Sequence, residues 1–369
     1  MLDLTSALDL NCFSTCYQDA RQRFLARQQQ VPPALLRSTH SHAHTLPGPQ
    51  QEPLACDVLQ LGQTDNPQQL LVLISATHGV EGFAGSAIQC DSLPLLGRLL
   101  EQHPQLGAMM IHALNPWGFA WLRRYDHEGI DLNRNFVDFA APLPDNADYE
   151  RLHPRILSTI GLDAAQLPQL WQDTDLVTFS EIVTRGQYHH RDGLFFGGSA
   201  PSWSRQLLQQ LTTAPLFAKA QRIAVIDLHT GLGPYGYGEV INDHPPDSIG
   251  FQLAQAWYGN NALSTVLGDS VSTLKPGLLD YHWHEVMGER GCFVTLEFGT
   301  FAIEQLLLSL LNEQRLHNRL LHNAEPRDLG HEHIVQLKHF FYPAERSWQQ
   351  QVLFRGRQVI DLALRGLLL

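Results

Sequence analysis

Residues 70–74 read LLVLI, and SATHGVEGFAGS follows directly over 75–86. A strand with no polar alternation must be covered on both faces, which calls for a sheet sandwiched between helix layers. Three more short apolar runs share this character: AMMIHAL (108–114), RIAVIDLH (222–229) and CFVTLEFG (292–299). Each is followed by polar or glycine-rich chain: NPWG, TGLGPYGYG, or the FGT that closes the last run. A buried strand has no need of a terminal His or Glu, so such groups at strand ends are candidates for chemistry.

Helical periodicity marks several intervening segments. CYQDARQRFLARQQQ (16–30) is expected to be a helix, as are 82–100, 150–180, 202–212, 247–257, 303–322 and 347–368. STHSHAHTL and LACDVLQLG alternate as strands do, and PGPQQEP between them predicts a hairpin. Strands alternating with helices give an α/β fold: a mixed, mostly parallel twisted sheet with helices on both faces. Internal repeats and low-complexity tracts are absent. AAPLPDNADY (140–149) is the best boundary candidate but reads as a loop, so residues 1–369 are expected to form one catalytic unit.

Composition narrows the function. The formal net charge is −12, from 25 Lys and Arg against 37 Asp and Glu, with no basic run, which argues against a nucleic-acid partner. The acidic start MLDLTSALDLNCF lacks a signal-peptide pattern, and no stretch of apolar residues is long enough to cross a membrane. Cys12, Cys16, Cys56, Cys90 and Cys292 are scattered and odd in number, as expected of free thiols in a reducing cytoplasm. Cys12 and Cys16, four apart, would share a helix face and be buried. Oligomeric state is not legible.

The terminal groups of three apolar runs form a set. His78 and Glu81 follow the first, His229 ends the third and Glu297 lies in the fourth. In open α/β sheets, ligands bind beyond the carboxyl ends of the strands. If those strands are parallel neighbours, two imidazoles and one carboxylate converge there, a standard ligand set for catalytic zinc. Glu297 is then available to move a proton. Asn133 and Arg134, in NPWGFAWLRRYDHEGIDLNRNF (115–136), offer an amide and a guanidinium suited to gripping a carboxylate. Asp131 can orient a ligand histidine through its second ring nitrogen.

The ordered series H-x-x-E, NPxG with a following arginine, DLNRNF, DLH and TLEFG resembles the zinc carboxypeptidase superfamily. That superfamily includes carboxypeptidase A-like enzymes and the succinylglutamate desuccinylase/aspartoacylase branch. The phrases HGVEGFAGSAIQ, QYHHRDGLFFGGSAPSWS and DLHTGLGPYG are similar to a bacterial group within it. The resemblance runs along nearly the whole chain. It implies one zinc ion per chain held by His78, Glu81 and His229, with Glu297 as general base and then proton donor. It implies that Asn133 and Arg134 bind the substrate carboxylate, and that Asp131 stands behind the first zinc histidine. An arginine stabilises the oxyanion; Arg124 is favoured and Arg123 is the alternative. The mobile tyrosine of carboxypeptidases has Tyr235, Tyr237 and Tyr281 as candidates here.

The reaction implied is hydrolysis of an amide next to a free carboxylate, by a metallocarboxypeptidase acting on small peptides. The alternative is a deacylase of N-acyl amino acids; an inactive metal- or peptide-binding protein is the reading from a different class. His40, His42 and His44 alternate on one strand face and are expected to be partly exposed rather than ligands. His189, His190, His282 and His284 are expected to be structural or at the surface. Neither G-x-G-x-x-G nor P-loop spacing is present, so phosphate binding is set aside.

Overall fold

The computed structural model describes residues 1–158, 163–259 and 262–369. Its centre is an eight-stranded sheet in the order β1-β2-β4-β3-β5-β8-β6-β7. The strands are β1 (Leu36–Ala43), β2 (Ala55–Gly62), β3 (Gln69–Ser75), β4 (Leu106–His112), β5 (Arg222–Gly231), β6 (Gly238–Asn242), β7 (Ala262–Ser264) and β8 (Gly291–Gly299). The central strands β4, β3, β5 and β8 run parallel. β1, β2 and β6 add antiparallel pairings, so the sheet is mixed.

The apolar run at 70–74 behaves as its composition requires. Leu71 and Leu73 pack in a core that contains Leu93, Leu96, Val352 and Ile360, on the helices Gly82–Leu100 and Arg346–Leu368. Leu70, Val72 and Ile74 belong to a different core with Trp283 and Phe217. All five are fully buried, and each contributes about 1.5–3 kcal/mol relative to exposure. Burial on both faces removes any use for polar alternation.

β3, β5 and β8 are consecutive parallel neighbours, so their carboxyl ends emerge together on one edge of the sheet. His229 lies opposite Glu297 in the β5–β8 register. The expected hairpin is present as β1 and β2.

Several expectations need correction. The helix expected over 150–180 is instead a helix Ala147–Ser158, a short 3₁₀ turn Leu167–Trp171 and a helix Leu176–Thr184. Residues 159–162 of that segment lie outside the described residues. Asp175 starts a new helix there by accepting a hydrogen bond from Thr178 N–H. The short strands β6 and β7 and the helices Asp280–Met287 and Glu332–Phe341 were not anticipated. Cys12 sits in a 3₁₀ turn, whereas Cys16 only caps the helix Tyr17–Gln28. The two therefore share no helix face: Cys12 is buried and Cys16 exposed, and all five cysteines are free. Among the described residues no helix is long and apolar enough to cross a membrane.

Candidate active site

After β3 the chain makes a tight turn through His78 and the 3₁₀ segment Gly79–Glu81, then enters the helix Gly82–Leu100. Gly79 has φ +24°, and a Cβ there would meet the carbonyl oxygen of Arg123 at 2.2 Å. Val80 N–H donates to that same oxygen at 2.9 Å. The close approach thus ties the His78–Glu81 turn to the Arg123–Arg124 segment and needs glycine.

The turn and β5 bring three donors together. His78 Nδ1 lies 3.1 Å from His229 Nδ1 and 3.2 Å from Glu81 Oε1. His229 Nδ1 lies 3.1 Å from Glu81 Oε2. The outer ring nitrogens are engaged elsewhere: His78 Nε2 with Asp131 Oδ1 at 3.0 Å and His229 Nε2 with Asp227 Oδ2 at 2.7 Å. With a cation bound, donation of both Nε2–H groups to these carboxylates would leave two Nδ1 lone pairs and a carboxylate facing one centre. Such an arrangement repels itself unless a cation sits in it. Edges of about 3.3 Å are what a tetrahedral zinc with bonds of roughly 2.0–2.1 Å requires. The residues therefore fit the ion.

The electrostatics agree. Burial opposes charge on His229, but Asp227 and Glu81 outweigh it and hold its pKa well above the ordinary value. Burial alone would raise Glu81, yet His78 and Arg124 keep it low. Asp131 is likewise buried but held well below the usual carboxylate range by Arg124 and His78. The cage demands positive charge.

Arg124 reaches this cage. Its Nη1 lies 2.5 Å from Glu81 Oε1 and its Nε 3.2 Å from Asp131 Oδ2. Arg123 points the other way. It is fully buried against Glu313 at 2.9 Å and Gln314 at 2.7 Å on the helix Ile303–Asn323, so this structure assigns it to packing rather than to the cavity. Its expected place at the substrate is a correction: consecutive residues in this irregular segment point in opposite directions.

His78, Glu81 and His229 line a cavity of about 360 Å³ that also exposes Arg124, Asn133, Arg134 and Glu297. Glu297 Oε1 accepts from Leu232 N–H at 2.9 Å. Burial and the nearby Glu81 push its carboxyl up to about 7. Arg134 is held by the carbonyl of Thr184 and by Asn133 O at 2.6 Å. Asn133 Oδ1 accepts from Leu279 N–H at 3.1 Å, which leaves its amide N–H groups for a ligand.

The sequence reading missed three residues here. Asp227 is legible in hindsight, because a residue two before His229 shares its strand face. Thr77 Oγ1 bonds both Asp227 oxygens, at 2.8 and 3.0 Å. Phe195 gave no signal: its backbone has φ +51°, and its ring lies under both Arg124 and Arg134, with guanidinium carbons 5.3 and 5.5 Å from the centroid. None of the tyrosine candidates lines the cavity. Tyr235 bonds Glu345 at 2.9 Å and Tyr281 bonds Lys275 O at 2.6 Å. His40 is exposed and His42 half-buried on β1, whereas His44 packs against His127 and Trp203.

Comparison with solved structures identifies the fold. The carboxypeptidase A of Helicoverpa armigera matches at TM-score 0.53 and 11% identity, over 98% of this chain and 76% of that one. A metallo-carboxypeptidase from Burkholderia cenocepacia matches at TM-score 0.41 and 14% identity, over 82% of this chain and 68% of that one. An aspartoacylase family protein from Mesorhizobium loti matches at TM-score 0.38 and 15% identity, over 79% of this chain and 68% of that one. No curated protein sequence matches. Residues 13–355 match the family described as "Protein of unknown function (DUF2817)". The chain is thus a member of that family, built on a carboxypeptidase-like α/β fold.

Proposed function

We propose that the protein is a zinc-dependent hydrolase that cleaves an amide bond next to a free carboxylate, as a metallocarboxypeptidase of small peptides. The observation that carries this reading is that one cavity holds the His78–Glu81–His229 cage, Glu297 and the carboxylate-gripping pair Asn133 and Arg134.

Zinc bound by His78, Glu81 and His229 supplies Lewis acidity, acidifying water and polarising a carbonyl. The chain does the rest. Arg134 and Asn133 hold the substrate carboxylate, with Phe195 fixing the guanidinium plane. Glu297, anchored through one oxygen by Leu232 N–H, takes a proton from water with the other. It returns that proton to the departing nitrogen. Arg124, only 12% exposed, is placed to stabilise negative charge on the carbonyl oxygen.

The test combines metal analysis with one substitution. Purified protein is expected to carry about one zinc per chain. Glu297→Gln is expected to keep that zinc and to lose turnover of N-blocked dipeptides by about 100-fold or more. Loss of zinc in Glu297→Gln would make Glu297 a ligand and overturn the assignment.

A further inference from the structure

The lining of the same cavity also includes Ile241, Asp243, Ser272, Lys275, Leu278 and Thr295. Ile241 faces Thr295 across the β6–β8 ladder, and Asp243 follows β6 directly. Two charges of opposite sign therefore stand in the cavity wall.

Lys275 is unusual. It is 8% exposed, and its Nζ bonds only uncharged atoms: Ser272 Oγ at 3.0 Å, Thr273 O at 2.7 Å and Thr273 Oγ1 at 3.2 Å. No carboxylate pairs with it among the described residues. Burial and the neighbouring Arg134 push its pKa down to about 7. Asp243 and Glu297 favour its charge through space, but a buried ammonium with no carboxylate in contact is costly and invites an anion. Burial likewise raises the Asp243 carboxyl, which accepts a hydrogen bond from Thr265 Oγ1 and, among the described residues, makes no ion-pair contact. Opposite charges lining one cavity without pairing leave a place for a ligand that satisfies both.

The position of Lys275 is built rather than incidental. Glu239 pins its segment by accepting from Ser270 Oγ at 2.7 Å and Val271 N–H at 3.0 Å. Gly277 (φ +74°) packs so closely on Arg134 that a Cβ would lie 2.4 Å from its carbonyl oxygen. Gly277 O accepts from Phe136 N–H at 3.1 Å. The lysine is thereby stitched to the same turn that presents Asn133 and Arg134.

We propose that the residue released by this site is an amino acid whose side chain itself ends in a carboxylate and an amino group, the carboxylate bound by Lys275 and the amino group by Asp243. This rests on the hydrolase reading above, with Arg134 holding the α-carboxylate. A purely acidic side chain meets Lys275 but is repelled by Asp243; a purely basic one has the reverse problem. An apolar side chain strands both charges. Hydrolysis needs no further reactant: water gives its hydroxyl to the acyl carbon and a proton to the leaving nitrogen as the C–N bond breaks.

The test uses the zinc-loaded full chain and four dipeptides with N-terminal alanine. Their C-terminal residues are 2,6-diaminopimelate, lysine (no side-chain carboxylate), 2-aminopimelate (no side-chain amino group) and norleucine (neither). The diaminopimelate compound is expected to have the highest kcat/KM, by at least about 30-fold over each of the others. Lys275→Met is expected to shrink its lead over the lysine compound to within roughly threefold, and Asp243→Asn its lead over the 2-aminopimelate compound. Equal or better cleavage of any of the other three overturns the proposal, whatever the variants do. If no dipeptide is cleaved, the hydrolase reading has failed, and calorimetry with the four free amino acids decides the pocket. Tightest binding of diaminopimelate then supports it, and equal binding of the four overturns it.

Discussion

His78 Nδ1 and His229 Nδ1 face each other at 3.1 Å although 151 residues separate them. Their Nε2 atoms are each held by a carboxylate, Asp131 and Asp227. Two imidazoles held with their Nδ1 atoms converging, beside the Glu81 carboxylate, form a candidate cation site. Removal of either ring (His78→Ala or His229→Ala) is expected to abolish tight zinc binding. Asp227→Asn and Asp131→Asn are expected to keep the site but to weaken zinc by roughly 10–100-fold. Competition against a chromophoric chelator measures both; wild-type affinity in Asp227→Asn would remove the orienting role given to Asp227.

The adjacent arginines separate cleanly. Arg123 and Glu313 form a buried pair at 2.9 Å, to which Arg327 adds a second contact with Glu313 at 2.7 Å. Breaking a buried pair from one side costs about 3–5 kcal/mol. Arg123→Met is therefore expected to lower the unfolding free energy by that order. Arg124→Met strips buried Glu81 and Asp131 of their shared cation, so it too is expected to lower stability, and in addition to cut turnover of the folded enzyme by about 100-fold, which Arg123→Met is not. Denaturant unfolding beside steady-state kinetics reads both; the reverse pattern would exchange their roles.

Glu297 makes a pH prediction for the zinc-free protein. Its folded pKa, about 7, stands above the ordinary 4.5 because of burial and then Glu81. Between those values the folded chain holds a proton that the unfolded chain has released, so this group's contribution to stability falls as pH rises through that window. Gln at 297 cannot titrate. The stability of Glu297→Gln relative to wild type is thus expected to climb from about pH 4.5 to 7 and then level off, gaining roughly 3 kcal/mol at most. Urea denaturation in EDTA at several pH values tests this. A flat difference would mean that Glu297 is not perturbed.

Gly79 carries the geometry of the turn that presents His78 and Glu81. A methyl group there would sit 2.2 Å from Arg123 O and 2.4 Å from the backbone carbon of Gly118. Both obstacles are backbone, so neither yields cheaply. Gly79→Ala is expected to destabilise the fold by about 2 kcal/mol or more and to weaken zinc binding along with it. Gly288→Ala is the control: it has comparable positive φ (+55°) but nothing near its added Cβ, and zinc affinity should not change. Thermal unfolding and zinc titration of both variants make the comparison.

The legible part of the site consists of residues whose chemistry has no other use at a buried strand end. His78, His229 and Glu297 fall in this class as a set; position alone is not enough, since His112 also ends a buried apolar strand but bonds Ser86 at 2.9 Å. Asp227 lay in plain view in DLH but reads as an ordinary strand residue until its partner ring is placed. Phe195, Lys275 and Asp243 carried no local signal. Each lies on irregular chain or just beyond a short strand, where neither period 2 nor period 3.6 constrains which way a side chain points.

Local pattern was sufficient for the four buried strands, the β1–β2 hairpin and most of the covering helices, and it singled out the candidate metal donors, because burial on two faces and the chemistry of ligation restrict residue type one position at a time. Long-range packing alone could choose Arg124 over Arg123, slide Phe195 beneath two guanidinium groups and bring Lys275 and Asp243 to one cavity. Those outcomes depend on contacts between segments tens to hundreds of residues apart, such as Arg123 with Glu313 and Gly277 with Arg134. No short window of the chain contains both halves of such a contact, so the information appears only once the chain has folded.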